Sequence, residues 1–301
     1  MPSLLEILWV LIEFLPQVFI LYFILALIEK SGLLSLIARL FRLPVNNMLP
    51  VCLSFSCTTL AVCAAHENPS RHRLAYFMSF IPCTAQLPLL MLLLTVVLGF
   101  PFWSVILVYL CGITLGLMVM TFVPKADNPF VSEPLKLRFP NLWHCLKESF
   151  KETLTFSKKI FITFAVSAFL IVILAQFSFN FRYVNNPEES ILFAICGVLS
   201  PVFRPIGLAS PAIICALLFG IIAKESAVSV LLFFPSIMVE LTVPMALSLV
   251  VFYAFYPKCL SAQAAVCTHC SVKTSVKLFI TNLLVAYGLA FVVYTVCGLF
   301  I

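Results

Sequence analysis

Long apolar runs separated by short polar breaks dominate this chain. The runs fall at about residues 4–28, 45–65, 74–98, 102–123, 159–179, 205–234, 243–266 and 278–301. Each approaches or exceeds the length of about 20 apolar residues that a helix needs to cross the hydrocarbon core of a bilayer. The runs are continuously apolar, whereas the strands of a membrane barrel alternate. The pattern therefore predicts an all-α, polytopic membrane protein. Because proline or polar residues interrupt some runs, about seven to nine transmembrane or half-membrane helices are expected. The first run carries Glu6 and Glu13 and lacks a basic leader, so it does not read as a cleavable signal.

Composition agrees with this pattern. Of 301 residues, 63% are hydrophobic and 10% charged, against about 25% charged in ordinary soluble domains. The net charge of +6 does not point to nucleic acid, because the basic residues sit between the apolar runs. Lys30, Arg39 and Arg42 mark one loop. Lys125, Lys136, Arg138, Lys147, Lys151, Lys158 and Lys159 mark the longest, and Lys273 and Lys277 a third. The positive-inside rule puts these three loops in the cytoplasm and the N-terminus outside. An even number of crossings must then separate residues 44 and 124. Three runs lie there, so one of them is expected to be re-entrant or broken.

The longest polar segment divides the chain. A first repeat with its preceding helix is expected at 1–123, a cytoplasmic linker with an amphipathic helix at 124–158, and a second repeat with a C-terminal helix at 159–301. In the linker, Trp143, Leu146, Phe150 and Leu154 recur at helical spacing, which suggests a helix lying on the membrane surface. Each half contains a proline-cysteine turn, Ile81-Pro82-Cys83-Thr84-Ala85-Gln86-Leu87-Pro88 and Tyr256-Pro257-Lys258-Cys259-Leu260-Ser261-Ala262-Gln263. Paired interrupted segments in two halves are a pointer to a transporter's binding site.

Three groups of residues carry candidate chemistry. Lys224 and Glu225 lie inside an apolar run, where ionisable residues mark pathways or buried ion pairs. Neighbours on a helix point about 100° apart, so at least one of them needs a partner on another helix or a water-filled cavity. Pro82 and Pro88 bracket Cys83, so a continuous helix is not expected there. The freed carbonyls, with the thiol, Thr84 and Gln86, suit a soft or borderline divalent cation. Cys57, with Ser54, Ser56, Thr58 and Thr59, forms a similar patch, which helix packing by small residues would explain equally well. Most of the other cysteines read as small apolar fillers. Cys267-Thr268-His269-Cys270 resembles a metal half-site without a second half. His66 and His72 read as part of a solvated turn. The chain has no GxxxxGK[ST] phosphate loop, catalytic triad or HExxH motif. Neither a nucleotide site, nor a permanently bound cofactor, nor an enzymatic role is expected.

In order and wording, these motifs resemble the membrane portion of the ferrous iron transport protein B (FeoB) family. The resemblance rests on Phe14-Leu15-Pro16-Gln17, Leu25-Ala26-Leu27-Ile28-Glu29-Lys30-Ser31-Gly32, Phe55-Ser56-Cys57-Thr58-Thr59-Leu60-Ala61, Met78 to Pro88, Pro205-Ile206-Gly207 with Ala223-Lys224-Glu225, and Tyr256-Pro257-Lys258-Cys259. It implies two Gate repeats around a midplane pore and Fe2+ as substrate in a bacterial inner (plasma) membrane. It also implies pathway cysteines at Cys57, Cys83 and Cys259, and a buried functional pair, Lys224 and Glu225. Thr58, Thr84, Gln86 and Ser261 are the expected neighbours along that path. The sequence departs from the family pattern at Thr58 and Leu60, at Gln86 in place of an arginine, and at Lys258 directly before the third cysteine. The GTP-binding domain of the family is not in this sequence. A separately encoded GTPase or small cytoplasmic partner docking on the cytoplasmic loops, and a homo-oligomer, are the expected protein partners. Two alternatives stand beside the iron permease: a Gate-type carrier of another small solute such as a nucleoside, and a non-transporting membrane scaffold.

Overall fold

A computed structural model describes residues 45–123, 190–233 and 241–300, most of 141–154, and scattered positions between 16 and 31. The predicted run at 159–179 and most of the first run lie outside the described residues, as do the stretches 124–140 and 155–189 of the linker and second half. The described residues are helical and form no strand. Among the described residues, four helical segments are long and apolar enough to cross a membrane: Arg71–Val97, Ser104–Thr121, Val243–His269 and Val272–Leu299. A fifth is counted if Phe193–Ile206 and Pro211–Ile222, bent by 98°, form one span. The chain is an all-α polytopic membrane protein.

The helices are α1 (Val45–Ser56), α2 (Thr58–Ala64), α3 (Arg71–Phe80), α4 (Leu87–Met91), α5 (Ser104–Thr121), α6 (Ile191–Phe203), α7 (Pro211–Ile222), α8 (Ser226–Phe233), α9 (Val243–Phe255), α10 (Leu260–His269) and α11 (Val272–Phe300). A 3-10 turn at Thr84–Gln86 leads into α4, and a π-helical turn at Leu92–Val97 continues it. Prolines set several boundaries. Pro82 and Pro257 stand in the breaks that follow α3 and α9, while Pro211 and Pro244 sit in the first turns of α7 and α9. There the missing N–H costs nothing and the fixed φ favours a helix start.

Three contacts fix the orientation. The Arg73 guanidinium donates to the Met120 carbonyl, His72 meets Thr274, and the His66 and His269 rings lie 5.6 Å apart. The start of α3 and the ends of α2, α5 and α10 therefore share one face with the start of α11. That face carries Arg71, Arg73, Lys273 and Lys277, while the opposite loops at 98–103 and 207–210 carry no charge. By the positive-inside rule this basic face is the one expected toward the cytoplasm.

The run at 45–65 is broken into α1 and α2. The helix breaks at Cys57, whose backbone is extended (φ −145°, ψ 115°), and the two arms pack on each other and on α3, the cytoplasmic half of the next span. In the second half, α7 and α8 pack on each other across Ala223–Glu225, and α8 packs against α4, in the outer half of the first broken span. The order of helix pair, broken helical segment and unbroken helix occurs at 45–121 and again at 211–300 among the described residues. The two helix pairs enter the bundle from opposite ends. Their tips meet the two breaks in the middle of the bundle.

The largest apolar cluster lies in the outer half, where Leu89, Leu90 and Leu93 pack with Ile213, Leu217, Leu249, Phe252 and Tyr253. A smaller one packs the first hairpin against Phe77, Met78 and Ile81. Close helix approach needs glycine at two places. A Cβ on Gly112 would lie 2.6 Å from the Phe80 carbonyl oxygen, and one on Gly220 would collide with the Tyr256 hydroxyl.

The linker helix packs through its small residues. Cys145, Ser149 and Thr153 are buried, while Trp143, Leu146, Phe150 and Leu154 are exposed. The Cys145 thiol reaches the Ala26 carbonyl at 3.9 Å, and Phe150 meets Phe19 edge-on. A stripe of small residues packs on the helical residues near 16–27, because small side chains let backbones approach. The apolar face is left for lipid.

Candidate functional site

The site is built from four interruptions in regular helix: Cys57, Ile81–Cys83, Ala223–Glu225 and Tyr256–Cys259. Each interruption strips backbone carbonyls of their i+4 partners, and such groups are tolerated in a membrane only where protein or water satisfies them. Here two lysines do so. The Lys224 ammonium donates to the Pro257 carbonyl at 2.6 Å and lies 3.3 Å from the centre of the Tyr256 ring. The Lys258 ammonium donates to the Ile81 carbonyl at 2.8 Å and to Gln86 Oε1 at 3.2 Å. Both side chains are 1% exposed. A buried ammonium needs such acceptors, because desolvation without them is very costly.

Gln86 organises the first break and ties it to the second half. Its Oε1 accepts from the Cys83 backbone N–H at 3.1 Å and from the Cys83 thiol at 3.7 Å. Its Nε2 donates to the carbonyls of Tyr253 at 2.6 Å and Ala254 at 3.2 Å. The Tyr253 hydroxyl in turn donates to the Lys224 carbonyl at 2.7 Å. Gln86 therefore occupies the centre of a network joining three of the four interruptions.

The thiols sit around this network. Cys83 is buried, whereas Cys57 and Cys259 are half-buried. All three lie within electrostatic reach of one another. Cys259 Sγ is 3.1 Å from Ser261 Oγ, which is 3.2 Å from Thr59 Oγ1. Thr84 is exposed and donates to the Ser56 carbonyl at 2.9 Å, linking the first break to the tip of the first hairpin. Thr58 is buried, and its hydroxyl has no hydrogen-bond partner among the described residues. Among the described residues, no three His, Cys, Asp or Glu side chains converge as a metal site. A cation at this place would draw on carbonyls, hydroxyls and successive thiols.

All nine residues singled out from the sequence, Cys57, Thr58, Thr84, Gln86, Cys83, Lys224, Glu225, Cys259 and Ser261, lie at or beside the four interruptions. Lys224 finds its partner outside its own segment, in the break that follows α9. That partner is a backbone carbonyl, and Lys224 forms no ion pair with the half-buried Glu225 among the described residues. The role of Lys258 was missed. Its one available signal is a lysine inside a proline break, where freed carbonyls are the natural acceptors. Tyr253 and Tyr256 were missed as well, since an aromatic residue in an apolar run carries no local mark of function. Among the described residues, Cys267 and Cys270 join no cluster of three such side chains, although His269 lies beside His66.

Comparison with known proteins places the chain beside iron transporters. It is 25% identical over 314 residues to the Fe(2+) transporter FeoB of Staphylococcus aureus, covering 96% of this chain and 47% of that protein. It is 25% identical over 324 residues to the Fe(2+) transporter FeoB of Campylobacter jejuni, covering 93% of this chain and 52% of that protein. For the Helicobacter pylori transporter of the same name, the identity is 25% over 352 residues, covering 94% of this chain and 54% of the relative. The chain spans about half the length of the curated relatives it matches. No family model matches. No solved structure matches either. The chain is thus similar to the membrane portion of FeoB transporters, and with its apolar spans it is an integral protein of the bacterial inner membrane.

Proposed function

We propose that this chain is a permease for ferrous iron. The ion passes between the tips of the two hairpins and the two broken spans. It exchanges water for thiols at Cys57, Cys83 and Cys259 and for the hydroxyls and amide of Thr58, Thr84, Ser261 and Gln86. The observation that carries the reading is the gathering of three cysteines, from segments 202 residues apart at the extremes of Cys57 and Cys259, around interruptions in regular helix. Thiolate and carbonyl ligands together favour a borderline cation such as Fe2+ over Mg2+ or Ca2+. A site met in successive partial contacts also binds weakly enough for release, which conduction requires. Lys224 and Glu225 hold the tip of the second hairpin and form part of the gate. The repeats 1–123 and 159–301, joined by the linker 124–158, supply the two moving halves.

The basic cytoplasmic face is the surface on which a separate GTPase or small cytoplasmic partner would act, and a second copy of the chain is compatible with this reading. Similarity to the curated iron transporters favours Fe2+ over a nucleoside and transport over a scaffold role. The test is anaerobic uptake of labelled Fe2+ into proteoliposomes holding the purified chain, with Cys57→Ser and Cys83→Ser compared. Uptake that falls in both variants supports the reading. Uptake unchanged in both refutes the thiol path. Thermal stabilisation by nucleosides and not by Fe2+ would favour the organic-solute carrier.

A further inference from the structure

Lys258 adjoins a proposed cation ligand, yet its own charge is that of the substrate. Its stem crosses from the second break to the first, where the ammonium takes the Ile81 carbonyl at 2.8 Å and Gln86 Oε1 at 3.2 Å. Those are two oxygens a divalent cation beside Cys83 would use. Gln86 holds that oxygen in place through its bonds to the Cys83 backbone and to the carbonyls of Tyr253 and Ala254. The side chain of Lys258 is 1% exposed, so the ammonium is not exchanging with water. Lys224, the second buried cation, points instead at Pro257 and Tyr256. At the tip of the first hairpin, the buried Thr58 hydroxyl has no partner among the described residues.

We infer that Lys258 is a specificity-determining residue: its ammonium occupies the oxygen acceptors of the first break and must be displaced before a divalent cation binds beside Cys83 and Cys259. The inference rests on the iron reading and deepens it. A tethered group competes at high effective concentration and cannot be carried away with the substrate. Hard cations such as Mg2+, Ca2+ and Mn2+ depend on oxygen ligands and gain little from sulfur, so they lose most to the lysine. Fe2+ regains in thiolate contacts what it gives up in oxygen contacts. The lysine thereby turns a cysteine-lined break into a filter against the harder and more abundant cations.

The test measures Co2+ binding to the purified chain, as a spectroscopic stand-in for Fe2+, together with Fe2+ and Mn2+ uptake in proteoliposomes. Lys258→Met keeps the apolar stem and removes the charge. A unit charge at contact distance in a protein interior is a strong like-charge penalty, so Co2+ affinity is expected to rise by about tenfold or more. Mn2+ uptake is expected to rise by a larger factor than Fe2+ uptake. Lys258→Arg retains the charge and the donors in a bulkier group, and is expected to lower uptake of both ions. If the folded Lys258→Met protein keeps wild-type affinity and the wild-type Mn2+ to Fe2+ ratio, the lysine is only a staple and the inference is overturned. If Lys258→Met does not fold, Lys258→Arg decides. Reduced uptake at unchanged melting temperature supports the inference, and unchanged uptake overturns it. If the wild type and every variant neither bind Co2+ nor carry Fe2+, the iron reading itself falls and takes this inference with it. Wild-type uptake that depends on Cys83, with no gain in Lys258→Met, removes this inference alone.

Discussion

Replacing Gln86 by leucine tests whether the middle of this protein is held by one amide. Gln86 is fully buried, and leucine nearly matches its volume, so packing changes little. What is lost is polar. Two bonds from Nε2 to the Tyr253 and Ala254 carbonyls go, at 2.6 and 3.2 Å, as do the bonds that Oε1 accepts from the Cys83 N–H and the Lys258 ammonium. Neutral bonds contribute about 1 kcal/mol each and bonds to a charged group about 1.5–3, while each buried orphan left behind costs about 1–3. Tyr253, Ala254, Cys83 and Lys258 all lose a partner, and some relaxation is expected. A net destabilisation of about 3–6 kcal/mol follows. At about 2–4 °C per kcal/mol, the melting temperature should fall by roughly 6 °C or more. Thermal melting of the detergent-purified protein, read by a dye that fluoresces on reaching buried thiols, measures this directly because Cys83 lies under Gln86. Gln86→Glu, which keeps the oxygen that faces Lys258, should lose less. If Gln86→Leu melts within about 2 °C of the wild type, with Cys83 still protected, the amide does not join the two halves and the network has been misjudged.

Other consequences can be checked in the same preparations. Gly112→Ala places a methyl 2.6 Å from the Phe80 carbonyl oxygen beside the first break, and overpacking of this kind costs about 1–3 kcal/mol; Gly220→Ala, against the Tyr256 hydroxyl, should cost a similar amount and lower Fe2+ uptake, whereas Gly288→Ala, which meets open space, should do neither. Thr58→Val removes a buried hydroxyl that has no partner among the described residues, so stability should hold or rise by about 1 kcal/mol while Fe2+ uptake falls, and a drop in stability would mean the hydroxyl already has a structural bond. A cysteine placed at Glu67 should be labelled by a membrane-impermeant reagent from the cytoplasmic side only, and one at Phe102 from the outer side only; the reverse result would invert the topology.

Much of this fold was legible in the sequence because a bilayer imposes a one-dimensional rule. Helix length and apolarity decide whether a segment crosses, so the membrane class and the position of most runs follow from local composition. Proline is equally local, and Pro82 and Pro257 announced breaks wherever their neighbours lie. Loop charge gave an expected orientation, and with it the expectation of a re-entrant or broken run between residues 44 and 124. Lys224, Glu225 and the cysteines drew notice for a related reason: lipid solvates them poorly, so each has to be explained.

Sequence alone could not say which side chain meets which break. The Lys224 contact with Pro257 spans 33 residues, and that of Lys258 with Ile81 spans 177. Such pairs depend on how two hairpins entering from opposite faces are packed, and no periodicity records that. Locally, Lys258 looked like an intruding charge beside a thiol; tertiary packing makes it the cap of a carbonyl freed in the other half. Gln86 looked like a lost arginine, and packing makes it the junction between Cys83, Lys258 and α9. The linker helix shows the same limit, since its apolar stripe was visible in the sequence but the stripe of small residues that docks it was not, because lipid leaves apolar residues free to face outward. Composition decided that these helices enter the membrane, since transfer free energy adds along the chain. Only the tertiary structure decided what lies at the centre, because hydrogen bonds between distant segments depend on position in space.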